Sequence, residues 1–167
     1  MMAKVKSVKI DGERIYIFNS AIYIFQSTAG CMLELDMIVS EIILNKYGHE
    51  ENLILEIELE DGAVIHTIMH PQSLPGGLPQ LHLYCELGDI EEYQNINIVH
   101  ENDSFPKIGE GITIQDIRKV EMPNEKVVLK LKLPIDQAEW LRKNKAKLNE
   151  ICKEAIYDYW RKKDGGE

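Results

Sequence analysis

The sequence predicts a mainly β protein of α+β type: an antiparallel β-barrel or sandwich/meander of about 8–10 strands, closed by a C-terminal amphipathic helix. Three observations carry that expectation. Apolar and polar residues alternate with period two through most of the chain. Turn residues interrupt the alternation at short intervals, with Asp-Gly at 11–12 and again at 61–62. Beyond Pro134 the apolar period lengthens to that of a helix.

Taken in order, "VKSVKIDGERIYIF" gives a strand, an Asp-Gly turn and a second strand. "IYIFNSAIYIF" predicts a further turn at Asn19-Ser20, which sets Ile15, Ile17, Ile22 and Ile24 on one face and Tyr16, Phe18, Tyr23 and Phe25 on the other. The aromatic set is expected to be mostly core, since such rings bury large areas; exposed, it would form a platform for a peptide or sugar. "CMLELDMIVSEIIL" reads as a long bent strand rather than a short helix, and "NKYGHEEN" as a polar turn. "LILEIELEDGAVIHTIMH" is a hairpin, with Gly62 suited to the left-handed position of a bulged three-residue turn. That register sets Glu56 opposite His66 and joins glutamates and histidines on one solvated surface. "PQSLPGGLPQ" predicts an exposed loop, and "LHLYCEL", "YQNINIVH", "GITIQDIRKVEM" and "EKVVLKLKL" predict strands, the last two paired in a hairpin around Pro123-Asn124.

The final stretch reads as one helix of some 27 residues, begun by a capping box of Asp136 and Glu139. Leu141, Leu148, Ile151, Cys152, Ala155, Ile156 and Tyr159 form its apolar stripe. The expected organisation is therefore a β domain over 1–133, a helix over 134–163 packed on that domain or at a homodimer interface, and a disordered tail over 164–167.

Charge is unevenly distributed. Residues 28–110 hold sixteen Asp or Glu against Lys46 and Lys107, a local balance of −14 within a chain of net charge −9. Such a centre repels phosphate and attracts cations. The candidate binding residues are accordingly Glu56, Glu58, Glu60, His66 and His70, forming an acidic face for a basic protein partner. Three cysteines without a CxxC spacing suit free thiols in a reducing compartment, and no apolar run is long enough to span a bilayer, so a cytoplasmic protein without membrane association is expected.

His66 and His70 lie four apart, a zinc spacing on a helix. On a strand, however, that spacing is about 13 Å, far for a metal whose bonds to nitrogen are about 2 Å. A metal-dependent enzyme built on His66, His70 and His82 is the weakest of three readings, and no cofactor is expected. No GxSxG, HExxH or phosphate-loop motif occurs, which favours binding over catalysis.

The stretch "VVLKLKLPIDQAEWLRKNKAKLNEICKEAIYDYWRKK", with its Leu-Pro strand end and its "KEAIYDYWRKK", resembles the ribbon–helix–helix DNA-binding domain. The resemblance implies a dimer whose paired strands enter the major groove. Leu129, Leu131 and Leu133 would face the core, Val128, Lys130 and Lys132 would face bases, and Asn149 would cap the second helix near a phosphate. The leading expectation is a non-catalytic adaptor with an acidic face that does not bind nucleic acid; the alternative is a ribbon–helix–helix transcriptional regulator, for which nucleic acid would be the partner.

Overall fold

A computed structural model describes residues 3–74 and 76–164. Residues 165–167 of the expected tail lie outside the described residues. The chain divides into two compact units, Met1–Asn124 and Glu125–Glu167, so the boundary falls nine residues ahead of the expected one.

The first unit holds β1 (Val5–Ile10), β2 (Glu13–Arg14), β3 (Asn19–Ser27), β4 (Gly30–Ile38), α1 (Glu41–Tyr47), β5 (Leu53–Leu59), β6 (Val64–Ser73), β7 (Gln80–Leu87), β8 (Ile98–His100) and α2 (Ile114–Val120). The strands form one sheet in the order β2-β1-β5-β6-β7-β4-β3-β8. The fold is thus mixed α+β with eight strands, but β2 and β8 remain edges and the expected closed barrel is not formed. Nor is the sheet wholly antiparallel, because β8 runs parallel to β3.

Alternation does what period two requires. Val8 and Ile10, Leu55 and Ile57, Ile65 and Met69, Leu81 and Leu83, Leu33 and Leu35, and Ile22 and Ile24 all point to one side and meet in a single core. The sheet therefore curls around that core, and Ile43 and Tyr47 of α1 are buried against it. A smaller cluster of Ile38, Ile108 and Ile117 sits beneath α2.

Local turn chemistry explains the hairpins. Asp11 and Gly12 both adopt positive φ, as a two-residue hairpin turn demands. At the second Asp-Gly, Gly62 has φ +92° and its N–H bonds to the Leu59 carbonyl at 3.0 Å. The resulting register pairs Glu56 with His66 and Ile57 with Ile65, as the bulged turn predicts.

Several expectations are corrected. There is no turn at Asn19-Ser20. β3 runs through it, and its hairpin to β4 closes between Ser27 and Gly30. Gly30 has φ +130°, whereas no residue near Asn19 has positive φ, so glycine supplied the turn. "MIVSEIIL" is half strand and half helix, because the Ser40 hydroxyl accepts from the Ile43 N–H and caps α1. "GITIQDIRKVEM" contains α2 rather than a strand. Thr113 and Asp116 form a reciprocal capping box there, and Thr-x-x-Asp was the readable signal. "YQNINIVH" yields only the three residues of β8. Pro71–Ser73, expected in a loop, extend β6 and pair with β7.

The second unit opens with residues 125–134, which have no bend, turn or strand partner, so the hairpin around Pro123-Asn124 is absent. Two helices follow in place of one, α3 (Ile135–Lys143) and α4 (Leu148–Lys163), separated at Asn144 by a 3-10 turn. Asp136 bonds only to the neighbouring Gln137 N–H, and the expected capping box does not form. Neither helix contains a buried residue. No described helix is long and apolar enough to cross a membrane.

Candidate functional site

The outer face of the sheet brings the predicted acidic residues and histidines together in part. His66 stands opposite Glu56, with both side chains accessible. Glu58 accepts from Lys6 Nζ at 2.9 Å and from the Ser7 hydroxyl at 3.2 Å, and Lys6 holds its carboxyl below the usual range. Lys9 Nζ lies 3.7 Å from Glu56. Two carboxylates of the expected acidic face are thus answered by β1. Glu60 lies exposed in the bulged turn, and the His70 Nδ1 meets the Glu51 carbonyl at 3.1 Å.

Among the described residues no three His, Cys, Asp or Glu side chains converge in a way that could hold a metal ion. His82 lies on the outer face, bonded to Asp36, while Cys85 points into the core beside Thr67. The three cysteines are free.

The aromatic set splits. Tyr23 is buried, Phe18 and Phe25 are half-buried, and Tyr16 is exposed, edge-on to Phe18 with 4.9 Å between ring centroids. Tyr16 and Tyr23 no longer face each other across a hairpin, so the flat pair that a platform needs does not exist.

The sequence did not single out the cluster around Asp36. Adjacent strands β3, β4 and β7 bring Tyr23, Glu34, Asp36 and His82 together, since Tyr23 pairs with Glu34 and Asp36 with His82. The Tyr23 hydroxyl donates to Asp36 Oδ2 at 3.0 Å, and His82 Nδ1 bonds to the other Asp36 oxygen. His82 Nε2 faces Glu34 Oε1 at 3.8 Å. Burial pushes the Glu34 carboxyl up, more than Tyr23 and His82 pull it down. Burial also opposes the charge on His82, but the Asp36 hydrogen bond and both carboxylates outweigh it and raise its pKa. Tyr23 is pushed far up by burial, then by the two carboxylates. The available signal was the pair of acids at alternate positions of an otherwise apolar strand, "LELDM".

The second unit presents a different surface. Leu129, Leu131 and Leu133 are 61%, 71% and 39% exposed, and Trp140, Ile156, Tyr159 and Trp160 are exposed as well. Leu133, Trp140 and Leu141 line an open hollow of about 520 Å³ together with Asp136 and Gln137. Val128, Lys130 and Lys132 occupy the alternate positions of the same segment and are also exposed. Asn149 is the second residue of α4 and makes no capping bond, which corrects the expected cap. Charge follows the boundary between units: residues 1–124 carry twenty acidic against eight basic side chains, while residues 125–167 carry eight against eleven. Comparison with protein-family models, with curated proteins and with solved structures finds nothing that matches this chain.

Proposed function

We propose that this protein is a DNA-binding regulator acting as a homodimer through residues 125–163. One observation carries the reading: the segment 125–134 has no partner strand in its own chain, yet it alternates bulky apolar residues with lysines. Three leucines left 39–71% exposed at alternate positions of one short segment form the kind of apolar patch that marks an interaction surface. A second copy of the same segment, antiparallel and two-fold, would bury Leu129, Leu131 and Leu133 on one face. Lys130, Lys132 and Val128 would then stand on the other, at a spacing that suits base edges in a major groove. The break at Asn144 supports the same reading, because a strand followed by two helices is what the ribbon–helix–helix resemblance implies. The start of α4 has no side-chain cap, and the amide of Asn149 stands exposed in its first turn, where it could reach a phosphate.

This displaces the acidic adaptor as the leading reading, since Glu56 and Glu58 are engaged by Lys9 and Lys6. The excess of basic side chains in residues 125–167 also favours phosphate over a basic protein. Three free cysteines fit a cytoplasmic location.

The test is a fluorescence anisotropy titration of labelled mixed-sequence duplex DNA, alongside the Lys130→Ala/Lys132→Ala double variant. Wild-type binding tighter than about 1 μM at low salt is expected, lost in the variant; non-specific contacts alone give roughly 1–100 μM at physiological salt. Equal affinity of the two proteins would defeat the proposal.

A further inference from the structure

We infer that a groove along the free flank of β6 takes an extended basic peptide, which adds to the sheet as a short strand. The groove belongs to the first unit, apart from the segment 125–163 proposed for DNA. One hydrogen bond and the register locate the flank. The Leu59 N–H donates to the Ala63 carbonyl at 2.9 Å, so these two residues form a bonded pair. In an antiparallel ladder bonded pairs alternate with pairs that do not bond. Ile57 and Ile65 therefore bond across β5 and β6, whereas Val64 and His66, opposite Glu58 and Glu56, turn their N–H and C=O groups away from β5. β7 does not meet them, because it pairs with β6 only over residues 70–73. Among the described residues no other backbone group bonds to Val64 or His66 from that side. An unpaired run of this kind is a template for another chain.

The segment 92–96 faces this flank instead. Between the two lies a hollow of about 260 Å³, lined by residues 63–66 on one bank and by Glu92, Tyr93, Asn95 and Ile96 on the other. It adjoins a second hollow of about 560 Å³, with which it shares Leu59 and Asn95, and which is bordered by Lys4, Glu60, Asp61, Gln94 and Asn97. Asp61 ties the banks together: its Oδ1 accepts from the Ala63 N–H at 2.9 Å and its Oδ2 from the Asn95 amide at 3.2 Å.

The lining sets the chemistry of the occupant. Two N–H and two C=O groups at strand spacing match the main chain of an extended peptide, and the side-chain amides of Gln94 and Asn97 offer the same donor–acceptor pairing further along. Side chains of an added strand alternate. Those on the side of Ile65 meet Tyr93 and Ile96, both packed on the core, and so are apolar. Those on the side of Val64 and His66 meet an acidic rim. Glu60, Asp61 and Glu92 are exposed there, residues 86–103 carry six acidic side chains and no Lys or Arg, and Lys4 is the one lysine or arginine among the described residues lining either hollow. Complementarity therefore selects lysine or arginine at those positions and rejects acidic side chains.

The test titrates the isotope-labelled full chain with the acetylated pentapeptide amide Lys-Val-Lys-Val-Lys, into the millimolar range, and follows backbone amide shifts by NMR. Saturable shifts at Val64, His66 and Asn95 are expected. N-methylation of the three central peptide residues removes main-chain donors but keeps every charge, and should weaken binding about tenfold or more. Glu92→Lys should weaken the lysine peptide, and Glu-Val-Glu-Val-Glu should leave the wild-type spectrum unchanged. Absence of shifts at residues 63–66, an N-methylated peptide that binds as well as its parent, or a glutamate peptide that binds as well as the lysine one would each overturn the proposal. So would shifts at Val64 and His66 that move with protein concentration alone, since a second copy would then occupy the flank.

Discussion

Leu131→Ala should dissociate the proposed dimer while leaving each folded chain intact. In a single chain Leu131 is 71% exposed, so truncating it removes almost no intrachain contact. Burying a whole leucine side chain is worth about 1.5–3 kcal/mol, so covering this one contributes about 1–2 kcal/mol per copy and about 2–4 kcal/mol per dimer. At 1.4 kcal/mol per factor of ten, the dimer dissociation constant should rise roughly thirty- to several-hundredfold. Val128 is the internal control. It is more exposed than Leu131, at 77%, but stands on the opposite face of the segment. Exposure alone ranks Val128→Ala as the more disruptive change; the two-fold ribbon predicts that it leaves dimerisation unaltered. Sedimentation velocity over a concentration series separates the two. A wild-type chain that sediments as a monomer throughout, or a Val128→Ala protein as weakened as Leu131→Ala, would rule out the two-fold ribbon.

Three further substitutions probe the first unit, each read by urea denaturation. Ile117→Ala removes the fully buried anchor of α2 and should cost about 2–5 kcal/mol, the range for large-to-small changes in a core. Gly48→Ala should cost about 1–3 kcal/mol although its φ of −66° suits any residue, because the added Cβ would lie 2.6 Å from the Leu44 carbonyl and 2.8 Å from the Ser73 hydroxyl. Tyr23→Phe strips Asp36 of a buried donor and should cost about 1–3 kcal/mol. A loss below about 0.5 kcal/mol in any of the three, the usual size of a surface change, would contradict the packing assigned there.

Where the sequence was legible, a local rule coincided with the global arrangement. Gly62 is the only residue of its turn able to take positive φ cheaply, so the register that pairs Glu56 with His66 could be read in advance. The inward-facing aliphatics followed from period two alone. The misreadings have equally local causes. Ile114–Val120 is rich in β-branched residues, but its capping box and its burial of Ile117 outweighed that propensity. The candidate site was harder to read, because its members are far apart in sequence. Asp36 and His82 meet only because β4 lies beside β7, a neighbour relation that skips two strands in the chain and leaves no trace in spacing. The face proposed as a ribbon, by contrast, lies within one segment, and Lys130, Lys132 and the three leucines were visible from the start.

Charge segregation gives the DNA reading a signature that an evenly basic protein would lack. Each copy carries a net −9, concentrated in residues 1–124, so a dimer offers a polyanion many more repulsive than attractive charges in total. Binding is feasible because screening makes the interaction local. At 0.15 M salt the Debye length is about 8 Å, and only the lysines touching phosphate count. At 0.01 M it grows to about 30 Å, and the acidic units covalently attached to the ribbon begin to feel the duplex. Lowering salt therefore has two opposed effects: counterion release favours the complex, with a log–log slope near −0.9 per phosphate contact, while repulsion from residues 1–124 grows. The plot of log affinity against log salt should be straight near physiological salt and flatten below roughly 0.05 M. Neutralising exposed acids of the first unit, such as Glu91→Gln/Glu92→Gln, should straighten it without changing the slope at high salt. A plot that stays linear down to 0.01 M would mean that the acidic unit never approaches the bound DNA and that no such electrostatic coupling exists.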